Sequence, residues 1–337
     1  MNKQQSRRAV TMAVLVAALI AAQAGAQSGT APKPRIKIRA AFAIGMTGVG
    51  NQFGIAKGFY DRAGIDIENV VTTNAIAAFG AGQLDIADGD PGTFTPAAAN
   101  GVPLKIVANM WRSTGAYWII ARPEIKTWAD LRGKNVGTAI ASGGMRVTAM
   151  EVLAKNGLDP NKDVQLVANG AYQAAYATLV SGQVAATIIH QPFAELAIEE
   201  GQGHVLAKTW EYVTDYDTGA IVASLDLINN RPDDLQRVLD VYFEANEYAR
   251  THPDEFYAWA ATYFKLSEAT VRKACEGERV LWIDDPIVDP KRLTATQNLL
   301  VKYGFLRDMV AVDDVVDNRF ADKTAQKLKI GKYAPKK

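Results

Sequence analysis

Ala81-Gly82-Gln83-Leu84-Asp85-Ile86-Ala87 and Ser181-Gly182-Gln183-Val184-Ala185-Ala186-Thr187 are the stretches whose reading decides the fold. Each places a Gly-Gln turn before a short apolar run, which predicts a buried strand over Gln83–Ala87 and another over Gln183–Ile189. Working outward, the elements around the two stretches follow one order. Ahead of the first lie a strand over Ile36–Ala41, a Gly-rich loop over Gly45–Gly50, and a helix from about Asn51 to Ala63 stopped by Gly64. A strand over Ile65–Val71 and a short helix over Ala75–Ala81 complete that copy. About 98 residues on, the order recurs as a strand over Asn135–Ile140, the loop Ser142-Gly143-Gly144 and a helix over Met145–Asn156 stopped by Gly157. A strand over Val164–Ala168 and a helix over Tyr172–Val180 follow. Strand–helix alternation predicts parallel sheets covered by helices, and two copies predict two similar α/β domains facing each other. The alternative is coincidence in an Ala-rich chain.

The 337 residues suit two domains. Hydrophobic residues at 48% and charged residues at 22% describe a globular chain with a real core. Lys and Arg number 37 against 36 Asp and Glu, a balance that argues against a nucleic-acid partner. The single cysteine, Cys275, excludes an intramolecular disulfide and a Cys-rich metal site. The C-terminal third reads as helical: Pro232–Arg250 carries Leu235, Val238, Leu239 and Tyr242 on one side. Pro253 opens a further helix with Phe256, Trp259 and Tyr263, whose spacing suits a core; Lys265–Cys275 and Pro290–Tyr303 predict two more.

Residues 1–26 read as a cleavable export signal. Lys3, Arg7 and Arg8 precede the apolar run Ala9–Ala22, and Ala22-Gln23-Ala24 and Ala24-Gly25-Ala26 offer cleavage sites. The alternative is an uncleaved anchor. Cleavage removes three basic residues and no acid, leaving a net charge of −2 on an exported, periplasmic chain. Residues 27–34 then form a flexible tail.

Enzyme signatures are sparse. His190, His204 and His252 lack metal-ligand spacing, and neither a Gly-x-Ser-x-Gly elbow nor a phosphate-binding P-loop occurs. Gly48-Val49-Gly50 echoes a dinucleotide fingerprint, but its third glycine, Gly54, comes one residue late. Cys275 reads as a structural thiol. Two α/β domains with loops at the carboxyl ends of their strands place ligand groups in the crevice between them, so the pattern reads as a non-catalytic binding module without cofactor or metal.

Several segments carry a family resemblance. They are Ala56-Lys57-Gly58-Phe59-Tyr60 with Gly64-Ile65-Asp66-Ile67-Glu68, Gly82-Gln83-Leu84-Asp85-Ile86-Ala87, Gly101-Val102-Pro103-Leu104-Lys105-Ile106-Val107, Trp128-Ala129-Asp130-Leu131-Arg132-Gly133-Lys134-Asn135-Val136-Gly137, Gly182-Gln183-Val184 and Gln191-Pro192-Phe193. With them the sequence resembles the periplasmic solute-binding proteins of ABC importers, in the nitrate/sulfonate/taurine and thiamine-pyrimidine group. The resemblance implies a two-lobed flytrap of type II that closes by hinge motion, a membrane permease as partner and a monomeric chain. It implies a first lobe of residues 35–120 plus 219–337 and a second of 121–218, with crossings near Ile119–Arg122 and Thr218–Val222. Gln191 stands where relatives often have an acid, and Asp88-Gly89-Asp90 where they often have small residues. Both departures touch the pocket.

Four loops and two crossing segments supply the candidate ligand contacts. Gly45, Met46 and Thr47 precede a helix and can present backbone N–H groups to an anion or carbonyl, or form a plain strand–helix turn. Asp88 and Asp90 suit a donor-rich ligand, or serve as turn acids and a helix cap. Ser142, Gly143, Gly144 and Arg146 combine a helix N-terminus with a guanidinium able to grip a carboxylate or sulfonate, unless Arg146 lies on the outer face. Asn169, Tyr172, His190 and Gln191 end second-copy strands, Tyr172 offering a ring for stacking. Arg112 and Tyr216 lie near the crossings, as ligand contacts or hinge packing. The arginines favour a small organic acid, a sulfonate or a carboxylate, toward which the reading leans; the acids favour a nitrogen heterocycle of pyrimidine type. The class alternatives are an enzyme on the same fold, which a single Cys and an export signal disfavour, and a receptor serving a sensor.

Overall fold

The computed structural model describes residues 34–72, 74–110, 116–141, 143–283 and 285–334. Its first stretch runs β1 (Ile36–Ala41), α1 (Val49–Ala56), α2 (Phe59–Arg62), β2 (Ile65–Asn69), α3 (Ala75–Gly80), β3 (Ile86–Gly89), α4 (Pro91–Ala99) and β4 (Leu104–Asn109). A second stretch runs β5 (Trp118–Ala121), β6 (Asn135–Gly137), α5 (Gly144–Lys155), β7 (Gln165–Val167), α6 (Gln173–Val180), β8 (Ala186–Ile189), α7 (Phe193–Glu199) and β9 (His204–Lys208). Then come β10 (Ala220–Ser224), α8 (Leu225–Asn230), α9 (Pro232–Thr251), α10 (Pro253–Phe264), α11 (Glu268–Glu278), α12 (Pro290–Lys302), α13 (Val312–Val315) and α14 (Arg319–Leu328).

The strands form two five-stranded sheets, ordered β2-β1-β3-β10-β4 and β7-β6-β8-β5-β9. In the first sheet β1 pairs in parallel with β2 and β3; in the second β6 pairs in parallel with β7 and β8. The two orders are the same, so the repeat in the sequence is a repeat in topology. Helices flank both sheets, an α/β architecture of two mixed sheets.

Each sheet is completed by one antiparallel strand: the first takes β10 from beyond the second stretch, and the second takes β5, the strand that opens its own stretch. β10 inserts between β3 and β4, and β5 inserts between β8 and β9. Both are buried along their whole length, which matches their continuous apolar composition. Ile119–Arg122, expected as a crossing between domains, therefore starts inside a strand of the second sheet. The connection between the sheets spans the residues between Asn109 and Trp118. On the return side, residues 209–219 connect β9 to β10, and the expected crossing at Thr218–Val222 runs into β10.

Several elements are shorter than their sequence pattern. The helix expected over 51–63 breaks at Gly58, whose φ of +74° only glycine adopts without strain, giving α1 and α2. The first strand of the second copy ends at Gly137, because Ala139 turns the chain with a φ of +62°. The segment from Lys265 becomes a helix only at Glu268, where the Ser267 side chain caps the Thr270 N–H.

The C-terminal helices reach both sheets. α9 and α14 pack on the first core, with Leu235, Val238, Leu239, Tyr242 and Phe320 buried against Ile38 and Ile86. Leu300 of α12 and Leu306 are buried in the second core beside Val147 and Ile188. Polar ties accompany this packing. Glu151 of α5 accepts from Lys302 (2.5 Å) and Tyr303 (2.7 Å). Glu199 of α7 accepts from Thr270 (2.6 Å) and Lys273 (2.7 Å) of α11. The third of the chain expected to sit wholly with the first lobe thus grips the second sheet as well.

Two repeat positions explain themselves. Asp85 of the first copy receives the Arg39 backbone N–H (2.8 Å) and the Arg39 guanidinium (2.5 Å), and Arg231 lies 3.8 Å away. The second copy has Ala185 there and no such clamp. Among the described residues no helix is long and apolar enough to cross a membrane. The expected signal, residues 1–26, and most of the tail lie outside the described residues.

Candidate functional site

Loops at the carboxyl ends of β1 and β3 meet loops following β6, β7 and β8 around a cavity of about 180 Å³. Its walls include Thr47, Asp90 and Thr93 from the first stretch, and Tyr172 and His190 from the second. The crossings contribute Tyr117 and Thr218, and aliphatic groups such as Ala43, Met110 and Met145 fill the rest. No Lys or Arg occurs among the described lining residues.

Asp90 is the cavity's charged group. It follows β3 directly, and its side chain caps α4 by accepting from the Gly92 N–H (2.5 Å). Pro91 at the first helical position lacks an N–H and leaves that role to Gly92. The carboxylate also accepts from Tyr117 Oη (2.8 Å), Tyr216 Oη (3.4 Å) and the Gly144 backbone N–H at the start of α5. A carboxylate has about four acceptor positions, so four donors saturate it. These donors come from the first sheet, both crossings and the second sheet, which makes Asp90 the polar junction of the site. Gly92 and Gly144 permit it: a Cβ on Gly144 would lie 1.8 Å from Asp90 Oδ2, and one on Gly92 would lie 2.2 Å from Tyr216 Oη. Burial pushes the Asp90 carboxyl up to about 6, against the lowering effect of its hydrogen bonds. Next to it, burial pushes Asp217 up to about 7, with Arg292 pulling the other way.

An aromatic array forms the opposite wall. The Tyr172 and His190 rings are stacked, 5.1 Å apart and 25° from parallel. Tyr117 meets His190 edge-on at 5.0 Å and 74°. Tyr172 holds a φ of +54°, a costly backbone for a residue with a Cβ, and it is there that the chain turns into α6. Thr218 lines the cavity, but its hydroxyl is buried away from the open space, with no hydrogen-bond partner among the described residues.

Of the residues singled out from sequence, Thr47, Asp90, Gly144, Tyr172 and His190 line the cavity, and Tyr216 reaches it through Asp90. Gly45 packs on the outer side of the Tyr172 ring; a Cβ there would lie 1.9 Å from Tyr172 Cε1. Gly143 precedes α5 with a φ of +92°, close against Thr93. The others do different work. Met46 is fully buried in a core with Phe53 and Phe256, its sulfur 3.7 Å from Cys275 Sγ, so it is a packing residue. Asp88 lies beneath the cavity, accepting from the Ala43 N–H and from Tyr242 Oη (3.0 Å), and it fixes the loop after β1; burial pushes its carboxyl up to about 6. Arg146 turns to Thr138 Oγ1 (3.1 Å) and is absent from the lining. Asn169 accepts from the Ala139 N–H (3.0 Å) and donates to Thr178 and Thr187, holding the strained Ala139 turn in place. Gln191 caps α7 by accepting from the Glu195 N–H (2.9 Å). Arg112 and Ser142 lie outside the described residues.

Tyr117, Thr93 and Thr218 belong to the site and escaped the sequence reading. Tyr117 was the most legible of them, as a phenol at the head of the apolar run Ala116–Ala121, where a fully apolar strand would carry none. Thr218 follows Asp217 in the return crossing and had no pattern to mark it.

This geometry can be set beside known proteins. A protein of Brucella abortus described as a candidate binding protein is 24% identical over 230 residues, covering 67% of this chain and 70% of the relative. The alkanesulfonate-binding protein SsuA of Xanthomonas axonopodis, solved with MOPS bound, superposes with a TM-score of 0.70 at 19% identity, over 85% of this chain and 99% of that one. The desulfurization enzyme DSZB superposes with a TM-score of 0.65 at 17% identity, over 87% of this chain and all of that one. At such identities the likeness concerns the fold, which is therefore the two-lobed periplasmic-binding-protein fold. The NMT1/THI5-like family pattern matches residues 50–256, more than half of the sequence. With two like-ordered sheets closing on a shared cavity and that match spanning most of both, the chain belongs to the NMT1/THI5-like family.

Proposed function

We propose that the protein is the exported, periplasmic solute-binding component of an ABC importer. It closes two lobes, one built on each sheet, over a small planar nitrogen heterocycle and hands it to a membrane permease. The observation that carries the ligand class is the stacked Tyr172–His190 pair facing a cavity whose described lining holds one carboxylate and several hydroxyls, and no Lys or Arg. A sulfonate or carboxylate, the direction in which the sequence leaned, would sit at the N-terminus of α5. Asp90 already occupies that place through the Gly144 N–H, and a second anion beside it meets like charge. A flat ring with N–H and N: groups meets the aromatic faces and the imidazole without that conflict. The volume fits, because an apolar cavity of about 150 Å³ holds one benzene ring.

The non-catalytic reading draws support from Cys275. The chain's one thiol is buried behind Met46, away from the cavity.

Titration calorimetry of the mature protein against pyrimidines, purines, alkanesulfonates and aromatic carboxylates tests the reading. Saturable binding of a neutral or cationic heterocycle is expected. Binding confined to sulfonates or carboxylates overturns it. Native mass spectrometry of protein purified from its own host should show the bound solute directly, and loss of uptake on deleting the permease tests the partner.

A further inference from the structure

Asp217 is a buried acid that the ligand site leaves unused. It lies in the return connection between β9 and β10, one of the two segments that must flex when the lobes part. The residue is 1% exposed, and its Oδ1 has no hydrogen-bond partner among the described residues. Its backbone N–H donates to Thr296 Oγ1 of α12 (2.9 Å). That helix is anchored in both cores, by Leu293 beside Val222 of the first sheet and by Leu300 beside Ile188 of the second. The flanking residues open on two separate spaces. Thr218 lines the ligand cavity, and Tyr216 lines a recess of about 240 Å³ between α5 and α12. Asp217 is shut between them.

The charges acting on Asp217 come from three places. Arg292 of α12 attracts it without a hydrogen bond, while Asp289, which caps α12, and Asp90, directly after β3, repel it. The charges of the recess are Asp215 in the same connection, Glu151, which accepts from Lys302 and Tyr303, and Lys155, which donates to the Tyr212 carbonyl. An ionised carboxylate shut in at this point is costly, whereas a protonated one leaves a single oxygen unbonded. Burial accordingly pushes the Asp217 carboxyl up to about 7, against the pull of Arg292 and with the aid of Asp289 and Asp90. Parting the lobes widens the cavity beside Thr218 and lets water reach the connection.

We propose that Asp217 is a proton switch in the hinge: the lobes close with its carboxyl protonated, and its ionisation favours the open form, so that the solute is gripped more weakly as pH rises. The proton comes from solvent and returns to it. This rests on the reading of the protein as a binder whose two lobes open and close. The closed form holds the proton more tightly than the open form. Its advantage is fully present below the open-form pKa and is lost as pH rises to about 7, above which both forms ionise and the preference levels off. With an ordinary carboxylate in the open form, the closed-to-open ratio falls roughly tenfold between about pH 6 and pH 8. Asp90, raised to about 6, acts in the same sense but mostly below that range. The cavity imidazole, His190, is common to all the proteins compared and drops out.

The test reads the distance between the lobes in the mature full chain without solute. Spin labels are placed through Val71→Cys and Ala168→Cys, exposed positions just past β2 and β7, while Cys275 is buried and stays unlabelled. Double electron–electron resonance gives the closed and open populations at each pH. The closed-to-open ratio should fall about tenfold from pH 6 to pH 8 in the parent, and twofold or less in Asp217→Asn. Arg292→Gln keeps the carboxyl and removes its attracting charge, so the fall should move to higher pH. A parent ratio that is the same at both pH values, or a fall that survives Asp217→Asn, overturns the switch. If Asp217→Asn does not fold by circular dichroism, Arg292→Gln decides, and a fall at unchanged or lower pH overturns it. The readout contains no solute, so it stands or falls apart from the calorimetric test of the ligand class.

Discussion

Replacing Asp90 by Asn removes a charge from the polar junction of the site and leaves its shape. The wild-type carboxyl is raised to about 6 from 3.8 because burial opposes ionisation more than its hydrogen bonds favour it. The folded state therefore holds the proton more tightly than the unfolded state. Stability from this group is fully present below the unfolded pKa of 3.8 and is lost as pH rises through about 6. A shift of this size destabilises by roughly 3 kcal/mol at pH 8 and by roughly half of that at pH 5. One edge of the carboxylate borders the cavity, so these are upper values. In Asp90→Asn the titration is gone. The amide also sets its N–H₂ against the Tyr117 hydroxyl or the Gly144 N–H, which costs about 1–3 kcal/mol independently of pH. Relative to wild type, the variant should gain about 1 kcal/mol or more of stability between pH 5 and pH 8. Urea denaturation at several pH values reads both quantities, since the midpoint and slope give the free energy at each. Asp88 titrates in the same direction and cancels because both proteins contain it, whereas Asp217, raised in part by the Asp90 charge, ionises more easily in the variant and moves the comparison in the same sense. A stability difference that is constant with pH, or that moves against the variant as pH rises, would refute the argument that burial dominates at Asp90.

Gly45→Ala should lower ligand affinity at least tenfold, because its Cβ would lie 1.9 Å from Tyr172 Cε1 and displace a ring that lines the cavity; calorimetry showing wild-type affinity would count against that contact. Asp85→Ala removes the acceptor of the Arg39 backbone N–H and of its guanidinium, and should cost about 2–3 kcal/mol in urea denaturation without changing ligand affinity. Asn169→Ala leaves the Ala139 N–H without its acceptor and loosens a cavity wall; a loss of about 2 kcal/mol together with weakened binding is expected, and binding unchanged beside lost stability would separate the turn from the site. Lys302→Ala and Tyr303→Phe each remove one donor to Glu151, and their double-mutant cycle should show coupling of roughly 0.5–1 kcal/mol; perfect additivity would mean the two contacts act independently.

How far the site was legible shows in pairs of residues. Thr47 and Met46 are neighbours in one loop, yet Thr47 lines the cavity and Met46 is fully buried behind it. The same holds for Asp90 and Asp88, one at the cavity and the other under it. A loop position at the carboxyl end of a strand could be read from periodicity, and Thr47, Asp90, Tyr172 and His190, singled out on that ground, line the cavity. Whether a polar side chain there meets a ligand or props up the backbone depends on which N–H groups the fold brings beside it. Asn169 and Gln191 were both claimed by nearby N–H groups, Ala139 and Glu195, that no local pattern reveals.

By itself the sequence determined the doubled α/β plan, because alternation of apolar runs with Gly-stopped helices is a local signal repeated in two copies. It also determined that the strand ends face a common crevice. Only the tertiary structure decided which strands finish each sheet. β5 and β10 are short apolar runs that any buried sheet would accept, and which sheet each joins is settled by pairings to Ala186–Ile189 and Ile86–Gly89. It alone decided the polarity of the cavity as well: the four donors that converge on Asp90 come from four separate segments of chain, and no single stretch of residues contains the electrostatics they create together.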